Sequence, residues 1–206
     1  MFVFLYFESM HEFKKLFLFL ILFFGISGPI NAADEGQLRF GIDFGFAPVD
    51  LEAEKTAQEI ANASGSTVTV AYDTGSFVGR IFAEYGLSQN FDLEFGIFST
   101  SDATATYTLD GASASESYNA DGVDISFNVT GSDGFFGKVG MHSSTVNGSA
   151  SIIIGGTTYS VTASREGSGP LFGAGWQDDD VRYSFTHYID VGDTTDYSMF
   201  SVGWLF

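Results

Sequence analysis

The sequence predicts an all-β protein, an eight-stranded antiparallel up-and-down transmembrane β-barrel. Three patterns predict it: apolar residues recur at every second position, tight turns alternate with long links, and the few charges of the predicted strands share one strand face. The chain has 8 Lys and Arg against 26 Asp and Glu, a net charge of −18, yet 45% of its residues are hydrophobic. It is therefore too apolar for a disordered acidic chain, and its negative charge argues against nucleic acid as a partner.

The first 32 residues have the layout of a secretory signal peptide. Lys14 and Lys15 precede an apolar run over 16–24, and Ala32 and Ala33 suit cleavage after Ala32. The run is shorter than the roughly 20 residues that a spanning helix needs, which disfavours an N-terminal membrane anchor. Because residues 1–9 lack a base, Met10 is a better start for such a signal. We therefore expect a signal peptide over 1–32 and one outer-membrane β-barrel domain over 33–206.

Period-two alternation predicts each strand in turn. The segments are 37–47, 77–87, 91–98, 123–129, 135–142, 171–177, 181–190 and 199–206. Tight turns at 88–90, 130–133 and 178–180 follow the second, fourth and sixth strands, whereas long links follow the first, third and fifth. Long loops at one end of the barrel and short turns at the other are typical of outer-membrane barrels.

The charges of these strands all fall on the less apolar face, and the opposite face has none. Apart from Asp190, which ends the seventh segment on the same face, they are Arg39, Asp43, Arg80, Glu84, Asp92, Glu94, Asp124, Lys138 and Arg182. A soluble barrel, the alternative fold, would put the apolar face inside and would normally mix charges into its outer surface. A face that contacts lipid has to be free of charged residues, because one Arg or Lys at the membrane midplane costs about 2–4 kcal/mol. We therefore expect the charges to form a paired network that fills the lumen; a continuous water pore is the alternative.

Aromatic residues on the apolar face cluster beside the tight turns. They are Tyr85, Phe91, Phe135, Trp176 and Tyr183, and the last strand adds Trp204 and Phe206. Such a row is expected at a membrane–water interface, so we predict an interfacial aromatic girdle.

The segments NFDLEFGIF, FFGKVG, PLFGAGWQ and VGWLF resemble the small outer-membrane barrels of the OmpA/OmpX type. The resemblance implies location in the cell outer membrane, contact with its lipid and lipopolysaccharide, and a barrel domain without the peptidoglycan-binding domain of some relatives. It also implies that Trp204 and Phe206 form the signal read by the barrel-assembly machinery.

Two segments of the long links have patterns of their own. Good helix formers over 50–64 predict a short helix over the barrel mouth, and a Gly155-Gly156 turn within 152–161 predicts a projecting hairpin. Such loops are where an extracellular ligand would bind.

Candidate chemistry is sparse, and we expect no catalytic residue, metal or cofactor. His142 is expected in the lumen, whereas His187 shares the apolar phase and could neighbour Ser198. Outer-membrane lipid A deacylases use a serine, a histidine and a carboxylate on such a surface, but no Asp or Glu is expected on that phase of the last two strands. The expected function is therefore structural or surface interaction, not enzymatic. A narrow porin-like channel and a lipid A-modifying enzyme are the alternatives.

Overall fold

The computed structural model describes residues 35–48, 53–73, 75–109, 112–178, 180–193 and 195–206. The predicted signal peptide and the start at Met10 lie outside these residues. The elements in chain order are β1 (Leu38–Pro48), α1 (Ala53–Ser64), β2 (Thr69–Asp73), β3 (Gly75–Ser88), β4 (Phe91–Thr100), β5 (Ala103–Leu109), β6 (Ala112–Thr130), β7 (Phe135–Ile154), β8 (Thr157–Asp178), β9 (Val181–Val191) and β10 (Thr195–Leu205).

Eight of the strands form a closed antiparallel ring, which confirms the predicted fold class. Its order is β1, β3, β4, β6, β7, β8, β9 and β10, and β10 pairs back onto β1. The closing register sets Gly41 opposite Leu205. Phe40 and Phe206 then exchange backbone hydrogen bonds of 2.9 and 3.1 Å, so the aromatic last residue is tied to the first strand. Closure leaves the ring without a free sheet edge.

Side chains alternate strictly between the two faces of the ring. On β3, Ser76, Val78, Arg80, Phe82 and Glu84 are buried in the lumen, whereas Phe77, Ile81 and Tyr85 are exposed on the outside. The same period-two burial recurs on β4 and β10. The exposed outer band contains most of the large apolar side chains, among them Phe40, Phe44, Phe95, Ile97, Phe127 and Phe200.

Several strands continue beyond the predicted boundaries, toward the long-loop end of the ring. The predicted links after the third and fifth strands are largely β structure: β5 pairs with the first half of β6, and the far halves of β6, β7 and β8 stay paired. With β2, these segments form a sheet in the order β2, β5, β6, β7, β8, which we call the extension. The sequence prediction ended these strands too early, because the extension alternates small hydroxyl residues with Ala and gives a weak apolar period.

The predicted hairpin turn and the predicted helix are both present, whereas the position of the helix over the barrel mouth stays a prediction. The tip of the β7–β8 hairpin is the two-residue turn Gly155-Gly156, with φ of 57° and 82°, which suits glycine. Helix α1 lies within the segment expected to be helical. It packs through Ala53, Ala57 and Ile60 onto a buried cluster with Ala105 and Tyr107 of β5. Among the described residues, no helix is both long enough and apolar enough to cross a membrane.

The tight strand spacing can be tested at Gly140 of β7. A Cβ there would lie 2.0 Å from the carbonyl oxygen of Ile125 and 2.7 Å from the Cα of Ser126 on β6, so Gly140→Ala should lower the free energy of unfolding by about 1–3 kcal/mol. The matched control is Gly79→Ala, where a Cβ meets no atom within 4 Å and we expect less than about 0.5 kcal/mol. Urea unfolding in lipid vesicles measures both. Equal stability of the two variants would contradict the described β6–β7 register.

Candidate functional site

Two arginines occupy the centre of the lumen. Arg80 binds Asp124 with two nitrogens, at 2.9 Å (Nε to Oδ2) and 2.5 Å (Nη2 to Oδ1). It also reaches Glu94 at 2.6 Å and Asp43 at 3.1 Å. Arg182 binds the same two acids, Glu94 at 2.5 Å and Asp43 at 3.0 Å. The two cations therefore share two carboxylates, and all five groups are buried.

Further groups extend this cluster. Lys138 Nζ lies 3.6 Å from Glu94 Oε1, and the Arg182 guanidinium lies 3.9 Å from the centroid of the Phe82 ring. Toward the short-turn end, Arg39 forms an ion pair with Glu84, which is also 3.8 Å from Arg182 Nη1. Buried ions need such partners, because an unpaired charge in a low-dielectric interior is strongly destabilising.

The strands position these side chains by register and by the absence of bulk at neighbouring lumen positions. Asp43 and Arg80 are direct cross-strand partners on β1 and β3. A Cβ at Gly96 would lie 2.3 Å from Arg80 Nη2, and one at Gly203 would lie 2.1 Å from Asp43 Oδ1. These glycines therefore leave the volume that the long charged side chains fill.

All nine charged residues predicted for the lumen are on the inner face. The ion pairs join eight of them, and Asp92 is also buried there at the start of β4. Sequence reasoning missed two neutral members of the cluster. The Asn128 amide donates to Glu94 Oε2 at 3.0 Å, and the Tyr188 hydroxyl donates to Asp124 Oδ2 at 3.2 Å. Both residues could have been predicted as members of the cluster, because they fall on the inward phase and buried carboxylates need additional hydrogen-bond donors.

A layer of buried apolar side chains lies in the lumen on the long-loop side of the charges. It is built from Ala47, Val78, Phe98, Ala120, Leu171, Tyr188, Val191, Tyr197 and Met199, with Val146 packed against it. His142, expected in the lumen, is buried beside this layer, and its Nε2 lies 2.7 Å from the Ile189 carbonyl oxygen. The interior is thus filled by charges near the middle and by side chains above them.

The aromatic residues predicted for the girdle surround the short-turn end of the outer face. Tyr85, Phe91, Phe135 and Tyr183 are exposed, and Trp176 is partly buried because its Nε1 donates to the Asp133 carbonyl at 2.9 Å. Trp204 and Phe206 are exposed at the end of the closing strand.

A second polar cluster lies on the outer face near the long-loop rim. His187 on β9 is the direct partner of Ser198 on β10, and the distance from His187 Nδ1 to Ser198 Oγ is 2.9 Å. Asp196 lies on the same outward phase, with Oδ2 3.7 Å from His187 Nε2. The expectation that this phase has no carboxylate is therefore wrong. It failed because β10 begins at Thr195 rather than at residue 199, so Asp196 lies inside the strand on the same phase as Ser198 and Phe200.

The outer face of the extension is a regular array of hydroxyl and amide side chains. Cross-strand partners on this face include Thr106, Ser115, Ser151 and Ser160. Ser115 and Ser151 are hydrogen bonded at 2.9 Å, and the neighbouring pair Ser117 and Ser149 at 3.0 Å. Asn147 donates to Asn119 at 3.1 Å, and Asn119 donates to Asp102 at 2.7 Å. We call this array the hydroxyl face; sequence reasoning noted the Ser and Thr content but not the sheet that aligns it.

The opposite face of the extension is apolar and partly covered by α1. The Tyr107 hydroxyl donates to Glu116 Oε1 at 2.5 Å, and burial together with that carboxylate raises the pKa of Tyr107 to about 12. Beyond the helix, Ile152, Ile154, Tyr159 and Val161 are exposed on this face.

Known structures share this architecture. No protein-family model and no curated protein sequence matches the chain. The outer membrane protein OprG from Pseudomonas aeruginosa is similar with a TM-score of 0.50 and 10% identity, covering 86% of this chain and 99% of that one. Ail of Yersinia pestis (TM-score 0.45, 12% identity, 84% and 99%) and Neisserial surface protein A (0.41, 17%, 82% and 95%) are also similar. The resemblance predicted from the sequence is confirmed at the level of fold: the chain has the architecture of the small OmpA-like outer-membrane barrels.

The energetic weight of the lumen cluster can be tested at Arg80. Arg80→Ala leaves Asp43, Glu94 and Asp124 with one fewer buried cation, so we expect the free energy of unfolding to fall by about 3–5 kcal/mol. Arg165→Ala removes the same side chain from an exposed position on β8 and should change stability by less than about 0.5 kcal/mol. Urea unfolding midpoints in vesicles give both values. An unchanged midpoint for Arg80→Ala would mean that the pairing adds nothing to stability.

Proposed function

We propose that this chain is an integral outer-membrane protein whose role is structural or surface interaction, performed by the extension that projects from its barrel. The observation that supports it best is the combination of a filled ring with a paired, ordered sheet beyond its rim. A rigid scaffold that presents polar surface in its connections is a common arrangement for binding.

The outer surface of the ring supports the membrane location. On the described ring strands, the charged residues of the outward phase lie at or beyond the two ends of the ring: Asp121, Glu166 and Asp196 on the long-loop side, and Asp178 at the short turns. Between those levels the described outward side chains are uncharged and mostly apolar, as contact with acyl chains requires. The aromatic residues at the short-turn end then lie at the inner interface, and Trp204 with Phe206 is available to the assembly machinery in the closing strand.

The filled lumen argues against the alternative of a narrow channel. An eight-stranded ring is about wide enough to be filled by its own side chains, and here ion pairs and an apolar layer occupy it. A water path would have to break pairs that are fully buried, which is costly.

The hydroxyl face indicates the chemistry of a surface ligand. Neutral hydroxyl and amide groups both donate and accept hydrogen bonds, which suits the hydroxyls of a saccharide, including the sugars of lipopolysaccharide around the barrel. Ail has been solved in complex with the heparin analogue sucrose octasulfate. For this chain the net charge of −18 argues against a polyanion of that kind.

The location can be tested with single cysteines, because the natural chain has none. On intact cells a membrane-impermeant maleimide should label Ser160→Cys on the hydroxyl face. It should not label Ser126→Cys, which is buried in the lumen, and it should label Asp133→Cys in a short turn only after the outer membrane is permeabilised. Labelling of Asp133→Cys on intact cells would contradict the proposed orientation.

Excision of the hairpin tip separates a surface role from a channel role. Gly148 and Ala163 are direct partners, so replacing 149–162 by a Gly-Gly turn should leave the ring intact. We expect attachment of producing cells to epithelial cells and to polysaccharide-coated surfaces to fall several-fold. Conductance in planar bilayers should stay at baseline for both forms; reproducible channels from the intact protein would favour the porin-like alternative.

A further inference from the structure

We propose that Ser198, His187 and Asp196 form a hydrolytic site for acyl esters of membrane lipid on the outer surface of the barrel. The inference rests on the proposed outer-membrane location but adds an activity to it. A nucleophile within hydrogen-bond reach of a base that is itself oriented by a third group is the arrangement that activates a serine.

The three side chains make a continuous chain of contacts across two strands. Ser198 Oγ lies 2.9 Å from His187 Nδ1, and His187 Nε2 lies 3.7 Å from Asp196 Oδ2. The other oxygen of Asp196 accepts the backbone N–H of Asp190 at 3.2 Å, which helps to orient this exposed carboxylate. The ring of Phe172 packs on His187 with centroids 4.9 Å apart and restrains the imidazole. The base and the orienting group thus each have a further neighbour, and the nucleophile is hydrogen bonded to the base.

The positions of Ser198 and Asp196 decide the role of each nitrogen of the His187 imidazole. Nδ1 faces the serine and Nε2 faces the carboxylate, the reverse of the usual serine–histidine–aspartate arrangement. Either nitrogen of a neutral imidazole can accept a proton while the other retains its hydrogen. Asp196 favours the tautomer with hydrogen on Nε2, which leaves Nδ1 free to take the serine proton.

The depth of the cluster identifies an amphiphilic ester as substrate. One step along the same face toward the middle of the barrel, Phe185 and Phe200 pack against each other with ring centroids 4.8 Å apart. On the other side the strands end at the acidic rim of Asp190 and Asp193. An ester at the boundary between acyl chains and water would lie level with Ser198, with its chain along the phenylalanines. The carboxylates at the rim disfavour an anionic headgroup, so we assign a zwitterionic phospholipid rather than the phosphorylated lipid A.

The reaction is ordinary ester hydrolysis with water as co-reactant. Ser198 Oγ attacks the ester carbonyl carbon, an Oγ–C bond forms, and the hydroxyl proton moves to His187 Nδ1. The bond from that carbon to the alcohol oxygen then breaks, and the departing oxygen takes this proton. Water attacks the acyl-serine, His187 accepts a water proton and returns it to Ser198 Oγ, and the fatty acid leaves. Ser198 and His187 are catalytic residues here, and Asp196 is a positioning residue.

The test uses the full refolded barrel in phosphatidylethanolamine–phosphatidylcholine vesicles. A fluorophosphonate probe should label Ser198, identified by peptide mapping, and fatty acid should be released. Ser198→Ala and His187→Asn should abolish labelling and lower release by about 10³-fold or to background. The matched control Ser143→Ala removes an exposed outward-phase serine of β7 and should leave both readouts unchanged.

The role of Asp196 is tested by measuring kcat and KM separately in two variants. Asp196→Asn should lower kcat by about 10²-fold with KM unchanged, and Asp196→Glu should restore part of it, which a merely structural role would not produce. Gel mobility of the folded barrel verifies that each variant is folded.

Three results would overturn the proposal: folded wild-type protein that is neither labelled nor active above the Ser198→Ala background, labelling that survives in Ser198→Ala, or wild-type kinetics in Asp196→Asn. Release from lipid A vesicles but not from phospholipid would overturn the assigned substrate. None of these results bears on the cysteine-labelling test of location, so the two proposals fail separately.

Discussion

The fold depends on the pairing of oppositely charged ions that are buried inside the ring. Arg80 and Arg182 share Asp43 and Glu94, and these groups come from strands β1, β3, β4 and β9. Because each ion is costly without its partners, the cluster penalises any register that separates them. The same requirement accounts for the glycines beside the cluster, since a Cβ at Gly96 or Gly203 would occupy the space of a charged group. The outward band adds a second constraint, which is that it has to be uncharged, because a charge on that face would be exposed to acyl chains.

The ring was predictable from the sequence because large side chains mark it. Phe77, Ile81 and Tyr85 alternate with Arg80 and Glu84, so the sequence of β3 shows both the period of two and which face is apolar and which is charged. The extension was not predictable as a sheet, because Thr104, Thr106, Ser115 and Ser117 alternate with Ala and Glu in small, weakly contrasting steps. Asp196 was missed for a different reason: the predicted strand began at residue 199, because the polar residues Thr195, Asp196 and Ser198 at the true start of β10 give no apolar period.

The residues that stabilise the barrel differ from the residues proposed to bind or react. The lumen groups are buried and paired, so substitutions there act on folding. The candidate binding and reactive groups are on outer surfaces: the hydroxyl face on the extension, and Ser198 with His187 at the rim. The ion pairs described in the lumen are made by other residues than these outer groups, so the outer groups can vary while the pairs remain. This is the usual division between a rigid scaffold and the surface it presents.

The β7–β8 hairpin has a consequence for how the chain can vary in length. Its arms are paired residue by residue from Phe135 with Trp176 to Ile154 with Thr157, with one tight turn at the tip. Insertions are accommodated only if both arms gain equally, and only an even number per arm keeps hydroxyls and apolar groups on their own sides. Natural variants should therefore differ by multiples of four residues across this hairpin, a length rule that a survey of homologous genes would reveal without any knowledge of what the surface binds.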